Sequence, residues 1–257
     1  MITDPIPAGS KKVEVATTAG NFTILLYGDT PGHRDNFLKN VADSVYDGVL
    51  FHRVIKDFMV QAGDPESKNA PADKRLGSGQ VGQPIPAEIV FPKHFHKRGA
   101  LAAARTGDQV NPERKSSSSQ FYIVTGQTYS DAQLDQMDQR LKYSLGQQHF
   151  NELARAHEAE IRKMQAERDT AGLRALQAQL GEQTDTWLST QNVGMTPEMR
   201  EAYKKIGGTP HLDNEYTVYG EVISGMDVID RIQKSPTGAA DRPVEDIKII
   251  SMKVLDD

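Results

Sequence analysis

The chain contains no cysteine, which excludes disulfide bonds, thiolate metal sites and a cysteine nucleophile while leaving the redox compartment open. It contains no apolar run long enough to span a membrane. It contains no basic block, and its formal charge of -5 argues against general nucleic-acid binding. Residues 1–10 carry neither a basic n-region nor an apolar h-region, so they lack the pattern of a secretory signal. Residues 1–11 read as a flexible leader. The expected location is the cytoplasm, or the periplasm if a signal segment upstream of Ile2 has been removed. At 257 residues there is room for one large domain or for a domain with an insertion.

What is present is, first, alternation. Val13, Val15 and Thr17 alternate with polar residues, residues 18–21 supply a turn, and Phe22, Ile24 and Leu26 alternate again, which predicts a hairpin. Thr30-Pro31 predicts a helix start, with Thr30 as N-cap and Pro31 at the first helical position. Phe37, Leu38 and Val41 give that helix its apolar stripe. Residues 66–86 have the composition of a loop. Within it, Gly77-Ser78-Gly79 lacks the Gly-Lys-Ser/Thr that would complete a phosphate loop. His94 and His96 fall on one side of an extended run. Without a third ligand the metal signal is weak, and the expectation is a solvated basic turn; a metalloenzyme would need stoichiometric metal.

Two stretches break the usual division of a sheet into an apolar face and a polar one. Residues 51–65 predict two short strands joined at Lys56-Asp57-Phe58 and closed by Gly63-Asp64-Pro65. Arg53 then faces away from His52 and Val54, while Met59 and Gln61 share a face with Phe58 at its entrance. If the two faces coincide, one surface carries arginine, methionine, glutamine and phenylalanine, which suits a ligand that is partly apolar with polar atoms to be held. The bland alternative is an edge strand with a snorkelling arginine. Residues 120–125 repeat the oddity. Gln120 and Tyr122 share one face, Phe121 and Ile123 the other, so both faces are expected to be covered, one by core and one by a ligand or partner. The small residues of 99–105 predict a buried strand that something approaches closely. The serines at 116–119 lack a Gly-x-Ser-x-Gly elbow, which disfavours a serine hydrolase.

Over residues 128–208 the character switches, with proline nearly absent and Gln, Glu, Ala, Leu and Arg dominant. Ser130 to Gln133 resembles a capping box. Leu153, Ala156, Ile161 and Met164, and then Leu173, Leu176 and Leu180, recur at helical spacing. Glu158 with Arg162, and Glu201 with Lys205, sit four apart in the favourable order. Thr196-Pro197-Glu198 starts another helix. This predicts a helical hairpin or small bundle set inside a β-rich chain, with a partner-binding arm as the functional alternative. Residues 211–222 resume strand alternation, residues 225–232 predict a short amphipathic helix, and residues 247–254 a closing strand. The fold class expected is mainly β: an eight-stranded antiparallel barrel capped by two helices, with an inserted α-helical segment.

The stretch 51–65, the run Ser119-Gln120-Phe121-Tyr122-Ile123, and Leu212-Asp213 leading to Val218-Tyr219-Gly220-Glu221-Val222 resemble the signature blocks of the cyclophilins, which are peptidyl-prolyl cis-trans isomerases. Order and spacing match over about 12–127 and 209–255, the first block being highly specific. The resemblance implies a barrel domain over 12–127 and 209–257 and an insertion over 128–208 of a kind familiar from bacterial relatives. It implies Arg53 as the catalytic electrostatic group and Phe58, Met59, Tyr122 and Leu212 as a proline pocket. Gln61 and Gln120 are implied to hold the substrate backbone, and Ala104 and Arg105 to contact the peptide. Tyr122 stands where Phe is usual, Arg105 where Asn is common, His211 where many eukaryotic members carry a tryptophan that favours cyclosporin binding, and Tyr216 where many carry histidine; Tyr216 is counted with the substrate-binding set.

The chemistry asked of such a face is selective binding. Peptide rotation is slow because amide resonance sets a barrier of roughly 18–20 kcal/mol, and Xaa-Pro bonds exchange over tens of seconds or more. No bond needs to break; the twisted amide must be bound better than either planar form. A permanently charged guanidinium can donate to the prolyl nitrogen or polarise the carbonyl, beside an apolar slot that grips the ring. The expected partners are proline-containing polypeptides or unfolded proteins, with no cofactor, metal, nucleic acid or membrane span; the oligomeric state is left open. The alternative is a peptide-binding chaperone module acting mainly through the helical insertion.

Overall fold

The computed structural model describes residues 6–191 and 193–255. The first five residues of the expected leader, Asn192 of the expected insertion and the last two residues therefore lie outside the described residues. By contact density the chain divides into one unit running to Tyr129 and resuming at Glu201, and a second unit, Ser130–Arg200.

Alternation builds the first unit. On β1 (Lys11–Thr17) and β2 (Gly20–Leu26), Val13, Val15, Phe22, Ile24 and Leu26 all turn inward and are buried. Six more strands follow: β3 (Arg53–Ile55), β4 (Met59–Ala62), β5 (Ala100–Ala103), β6 (Phe121–Val124), β7 (Val218–Ser224) and β8 (Ile249–Leu255). The eight pair antiparallel in the order β3-β4-β6-β5-β7-β2-β1-β8. An antiparallel bridge between Leu50 and Lys248, flanked by Phe51 N–H to the Ile247 carbonyl at 2.9 Å and Ile249 N–H to the Val49 carbonyl at 2.9 Å, ties the segment entering β3 to the one entering β8. That seam joins the two ends of the sheet at the points where β3 and β8 begin.

Two helices plug the core. Phe37 and Val41 of α1 (Pro31–Ala42), and Val228, Ile229 and Ile232 of α6 (Met226–Gln233), join the inward strand residues in one apolar cluster. The expected cap of α1 is replaced. Thr30 stands at the N-cap but makes no side-chain capping bond. Instead the Glu88 carboxylate accepts from Gly32 N–H at 3.0 Å, His33 N–H at 2.9 Å and His33 Nδ1 at 2.6 Å. A carboxylate at a helix N-terminus meets both unpaired amides and the positive end of the dipole, which a hydroxyl does less well.

The expected strand over 211–217 does not form. Pro210–Leu212 is a single 3-10 turn and Asn214 takes a left-handed φ of 59°, so β7 begins only at Val218. The Asp213 carboxylate there accepts from the backbone of His96, so a side chain takes the place of ladder pairing.

The second unit consists of α2 (Asp131–Ala156), α3 (Glu158–Glu167), α4 (Thr170–Thr190) and the start of α5 (Pro197–Lys205). Ser130 and Gln133 form the expected capping box. Leu141, Leu176 and Leu180 are buried, Gly146 lets α2 approach Leu188 of α4, and His149 stacks on Trp187 with centroids 4.3 Å apart. On α3 the expected stripe residues Ile161 and Met164 are half-buried among exposed neighbours, and none of its residues is fully buried. Glu158 pairs with Arg162.

Candidate active site

Strand register assembles the site. Arg53 pairs with Gln61, Gln61 with Tyr122, and Tyr122 with Ala102, so four strands present these residues as one row. Ile55, Met59 and Val124 make the adjacent row. Because successive residues point to opposite faces, Val54, Val60, Leu101 and Ile123 belong to the barrel core while Met59, Ala102 and Tyr122 form a second apolar cluster, against which Phe58, Leu212 and Tyr216 pack. Beside it lies a cavity of about 690 Å³.

Every expected site residue except Gln120 lines that cavity: Arg53, Phe58, Met59, Gln61, Ala104, Arg105, Tyr122, Leu212 and Tyr216. Gln120 is buried behind it. Its Nε2 donates to the Gly79 carbonyl at 2.6 Å and its Oε1 accepts from Gln61 Nε2 at 3.0 Å, so it holds Gln61 rather than facing the cavity. Gln61 Oε1 in turn accepts from an Arg53 terminal nitrogen at 3.5 Å. Arg53 is half exposed, and its Nε lies 3.6 Å from Asp241 Oδ2.

Ring contacts brace the apolar wall. His211 stacks on Phe58 with centroids 5.5 Å apart. The Tyr216 ring meets the edge of Tyr122 at 5.9 Å and carries the Arg105 guanidinium at 4.6 Å. Burial pushes the Tyr122 hydroxyl well above its ordinary pKa, with Tyr216 and Asp213 adding to the effect. Burial likewise lifts the Glu215 carboxyl, against the opposing pull of Arg114 and Arg105.

Residues 12–173 and 182–254 match the family model described as cyclophilin type peptidyl-prolyl cis-trans isomerase. The chain belongs to this family. Cyclophilins of this type interconvert the cis and trans forms of Xaa-Pro bonds, and that is the enzyme class of this one.

Among curated relatives, the cyclophilin is 29% identical over 248 residues to a protein of Staphylococcus saprophyticus provisionally named a peptidyl-prolyl cis-trans isomerase, covering 95% of this chain and 92% of that one. A similarly named protein of Staphylococcus epidermidis is 30% identical over 245 residues, covering 95% and 91%. A Streptococcus pyogenes protein provisionally named a bifunctional phosphatase/peptidyl-prolyl cis-trans isomerase is 29% identical over 252 residues, and the cyclophilin spans 39% of its length. In fold it is similar to a Cryptosporidium parvum cyclophilin, with TM-score 0.57, 17% identity, and 96% of this chain and 99% of that one covered.

The structure corrects the reading of the two histidines. His94 and His96 are not on a solvated turn. The His94 ring stacks on Tyr27 at 4.1 Å and bonds Asp29 at 2.8 Å, while His96 is held by Asp213 and the Tyr122 hydroxyl. Among the described residues no cluster of three or more His, Cys, Asp or Glu could hold a metal. The Arg105 side chain is buried, with Nε donating to the Glu215 carbonyl at 2.9 Å.

Sequence reasoning missed the far wall of the cavity. His52, residues 72–77 and residues 239–242 all line it. Neither His52 ring nitrogen has a hydrogen bond of good geometry, and burial lowers the ring's pKa against the opposing effect of Asp64. Arg242 anchors the 239–242 turn by donating to the Ala70 and Pro71 carbonyls at 3.0 and 2.8 Å. Only a loop composition marked residues 72–77, and nothing local marked Asp241 as the neighbour of Arg53.

Proposed function

We propose that Arg53 is the group that lowers the barrier to prolyl isomerisation here, with Phe58, Met59, Tyr122 and Leu212 gripping the ring, Gln61 and the 104–105 segment holding the substrate backbone, and Gln120 setting Gln61. The observation that carries this is the single row Arg53–Gln61–Tyr122 across three strands, which sets a permanent cation two strands from Tyr122 of the apolar slot. Planar cis and trans amides keep the prolyl nitrogen conjugated. The twisted form has a lone pair that a guanidinium N–H can meet, so the arginine binds that form best. Gln61 on one side and Asp241 on the other restrict where the guanidinium points, so little reorganisation is needed when the amide twists.

The substrates are proline-containing polypeptides in unfolded form, since the cavity is lined both by the apolar slot and by Gln61 and the 104–105 segment. The solved cyclophilin of Cryptosporidium parvum studied in the presence of the dipeptide Ala-Pro supports that class.

Exchange NMR on an Xaa-Pro peptide is the test. Catalytic amounts of the protein should collapse the slow exchange, and Arg53→Ala should lower kcat/KM about 100-fold, which corresponds to about 2.7 kcal/mol. Unaltered exchange with the wild type, or equal rates for the variant, would refute the assignment.

A further inference from the structure

Beneath the cavity runs a chain of four buried polar side chains that the reaction does not itself require. Asp213 Oδ2 accepts from the Tyr203 hydroxyl at 2.6 Å. Asp213 Oδ1 accepts from the His96 backbone N–H at 2.9 Å and lies 3.1 Å from His96 Nδ1. His96 Nε2 lies 3.0 Å from the Tyr122 hydroxyl. All four residues are buried, and Tyr203 is wholly so. The donors and acceptors close without remainder: the carboxylate can only accept, so Nδ1 carries the ring proton and Nε2 accepts from Tyr122.

Burying a carboxylate, an imidazole and two phenols is unfavourable unless each satisfies the next. A phenylalanine at 122 over an apolar residue at 96 would fill the same space without that requirement. What the polar chain adds is direction. It fixes Tyr122, the floor of the slot, through its hydroxyl. It also fixes the turn carrying His211 and Leu212, because Asp213 is the residue that follows them and Thr209 N–H donates to the His96 carbonyl at 2.8 Å. The far end is locked too. The Tyr203 ring packs edge-on against Phe95 and Tyr129, and the approach is close enough that a Cβ at Gly208 would fall 2.5 Å from its Cε1. Tyr203 lies on α5, whose first turn belongs to the helical unit and whose last residues belong to the barrel unit.

We propose that Asp213 and His96 are positioning residues of the isomerase, and that Tyr203, which does not line the cavity, sets through them how firmly the Tyr122–Leu212 slot grips proline. The inference rests on the reading of that cavity as the proline site. It makes the grip on substrate depend on α5, so a ligand or modification that moves α5 changes KM before it changes kcat.

Tyr203→Phe removes one hydroxyl and keeps the ring. Peptide titration and exchange NMR should show KM raised three- to tenfold with kcat within twofold, and the ring resonances of Tyr122 should shift. Tyr122→Phe should act in the same direction, and the double variant should be no worse than the poorer single one, because the two lie on one chain. A purely structural role predicts a lowered melting temperature with KM and the Tyr122 resonances unmoved, and that result overturns the proposal; so does full additivity. Should Tyr203→Phe not fold, the wild type still decides: saturating Xaa-Pro peptide should move the ring resonances of Tyr203 as well as those of Tyr122, and an unmoved Tyr203 overturns the proposal. The Arg53→Ala comparison separates failure here from failure of the proline-site reading, since the Arg53 side chain pairs with Gln61 and Asp241 and with none of the four residues.

Discussion

Arg105→Ala tests how a residue uncommon at its position has been absorbed into the site. The guanidinium is only 5% exposed, so its contacts are not diluted by solvent. Its charged donation to the Glu215 carbonyl at 2.9 Å contributes about 1.5–3 kcal/mol. Its stack over Tyr216 at 4.6 Å adds about 1 kcal/mol. The pair with Asp108 adds less than about 1 kcal/mol, because Asp108 is half exposed. Arg114, 3.1 Å from Asp108 and 3.0 Å from Glu215, takes over part of that role in the variant. The expected loss is about 3 kcal/mol, which for a chain of this size lowers the melting temperature by about 6–12 °C. Tyr216 also loses the group that holds its ring, so KM for an Xaa-Pro peptide should rise about threefold to tenfold while kcat, set by Arg53 and Gln61, stays within about twofold. Arg105→Lys keeps the charge but neither the planar fork nor the stack, and should fall between. Urea unfolding and exchange NMR measure the two effects. A loss under about 1 kcal/mol together with unchanged KM would show that Arg105 supports neither the fold nor the Tyr216 wall.

Glu88→Gln should destabilise the protein at neutral pH, and the difference from wild type should shrink in acid. Burial raises the Glu88 pKa, but bonds from His33 and from the Gly32 and His33 amides outweigh it and hold the carboxyl below its usual range. A depressed carboxylate contributes fully above its unfolded pKa of about 4.3, and the contribution is lost as pH falls through the lower folded value. The His33 ring, whose pKa burial lowers against the pull of Glu88, makes wild type and variant alike less stable in acid. Urea midpoints taken across a pH series check this, and a pH-independent difference would contradict it. Gly63→Ala should cost more than about 3 kcal/mol or abolish soluble expression, because Gly63 has φ 93° and a Cβ there would fall 2.1 Å from the Ser119 carbonyl oxygen. A wild-type melting curve for that variant would show that the strands can separate at this point.

Much of the site was legible because the side-chain period of a strand is two. Once residues 53–55 and 59–62 are strands, Met59 and Gln61 must share a face, and the observed register puts Arg53 on that same face. Gln120 and Tyr122 follow by the same rule, yet the rule gives a face and no depth: Gln120 is drawn behind Gln61 by the Gly79 carbonyl, a partner 41 residues away. Leu212 and Tyr216 came from resemblance to the cyclophilins, since the stretch around them alternates like a strand and folds as a turn. His94 and His96 were misread for the same reason. Nothing near them in sequence announces Asp29, Tyr27, Asp213 or Tyr122, which together bury both rings.

The amino-acid sequence by itself determined what depends on neighbours in the chain: the alternation that makes strands, the caps and breaks that bound helices, and the shared face of Met59 and Gln61. Tertiary structure alone decided what depends on closure of long loops. It brought Glu88 to the start of α1, Asp241 to Arg53, and Tyr203 through Asp213 and His96 to the floor of the cavity. Periodicity is a local property and a buried carboxylate's partner is not, because the requirement to satisfy a buried charge is met by whichever donor the closed barrel delivers.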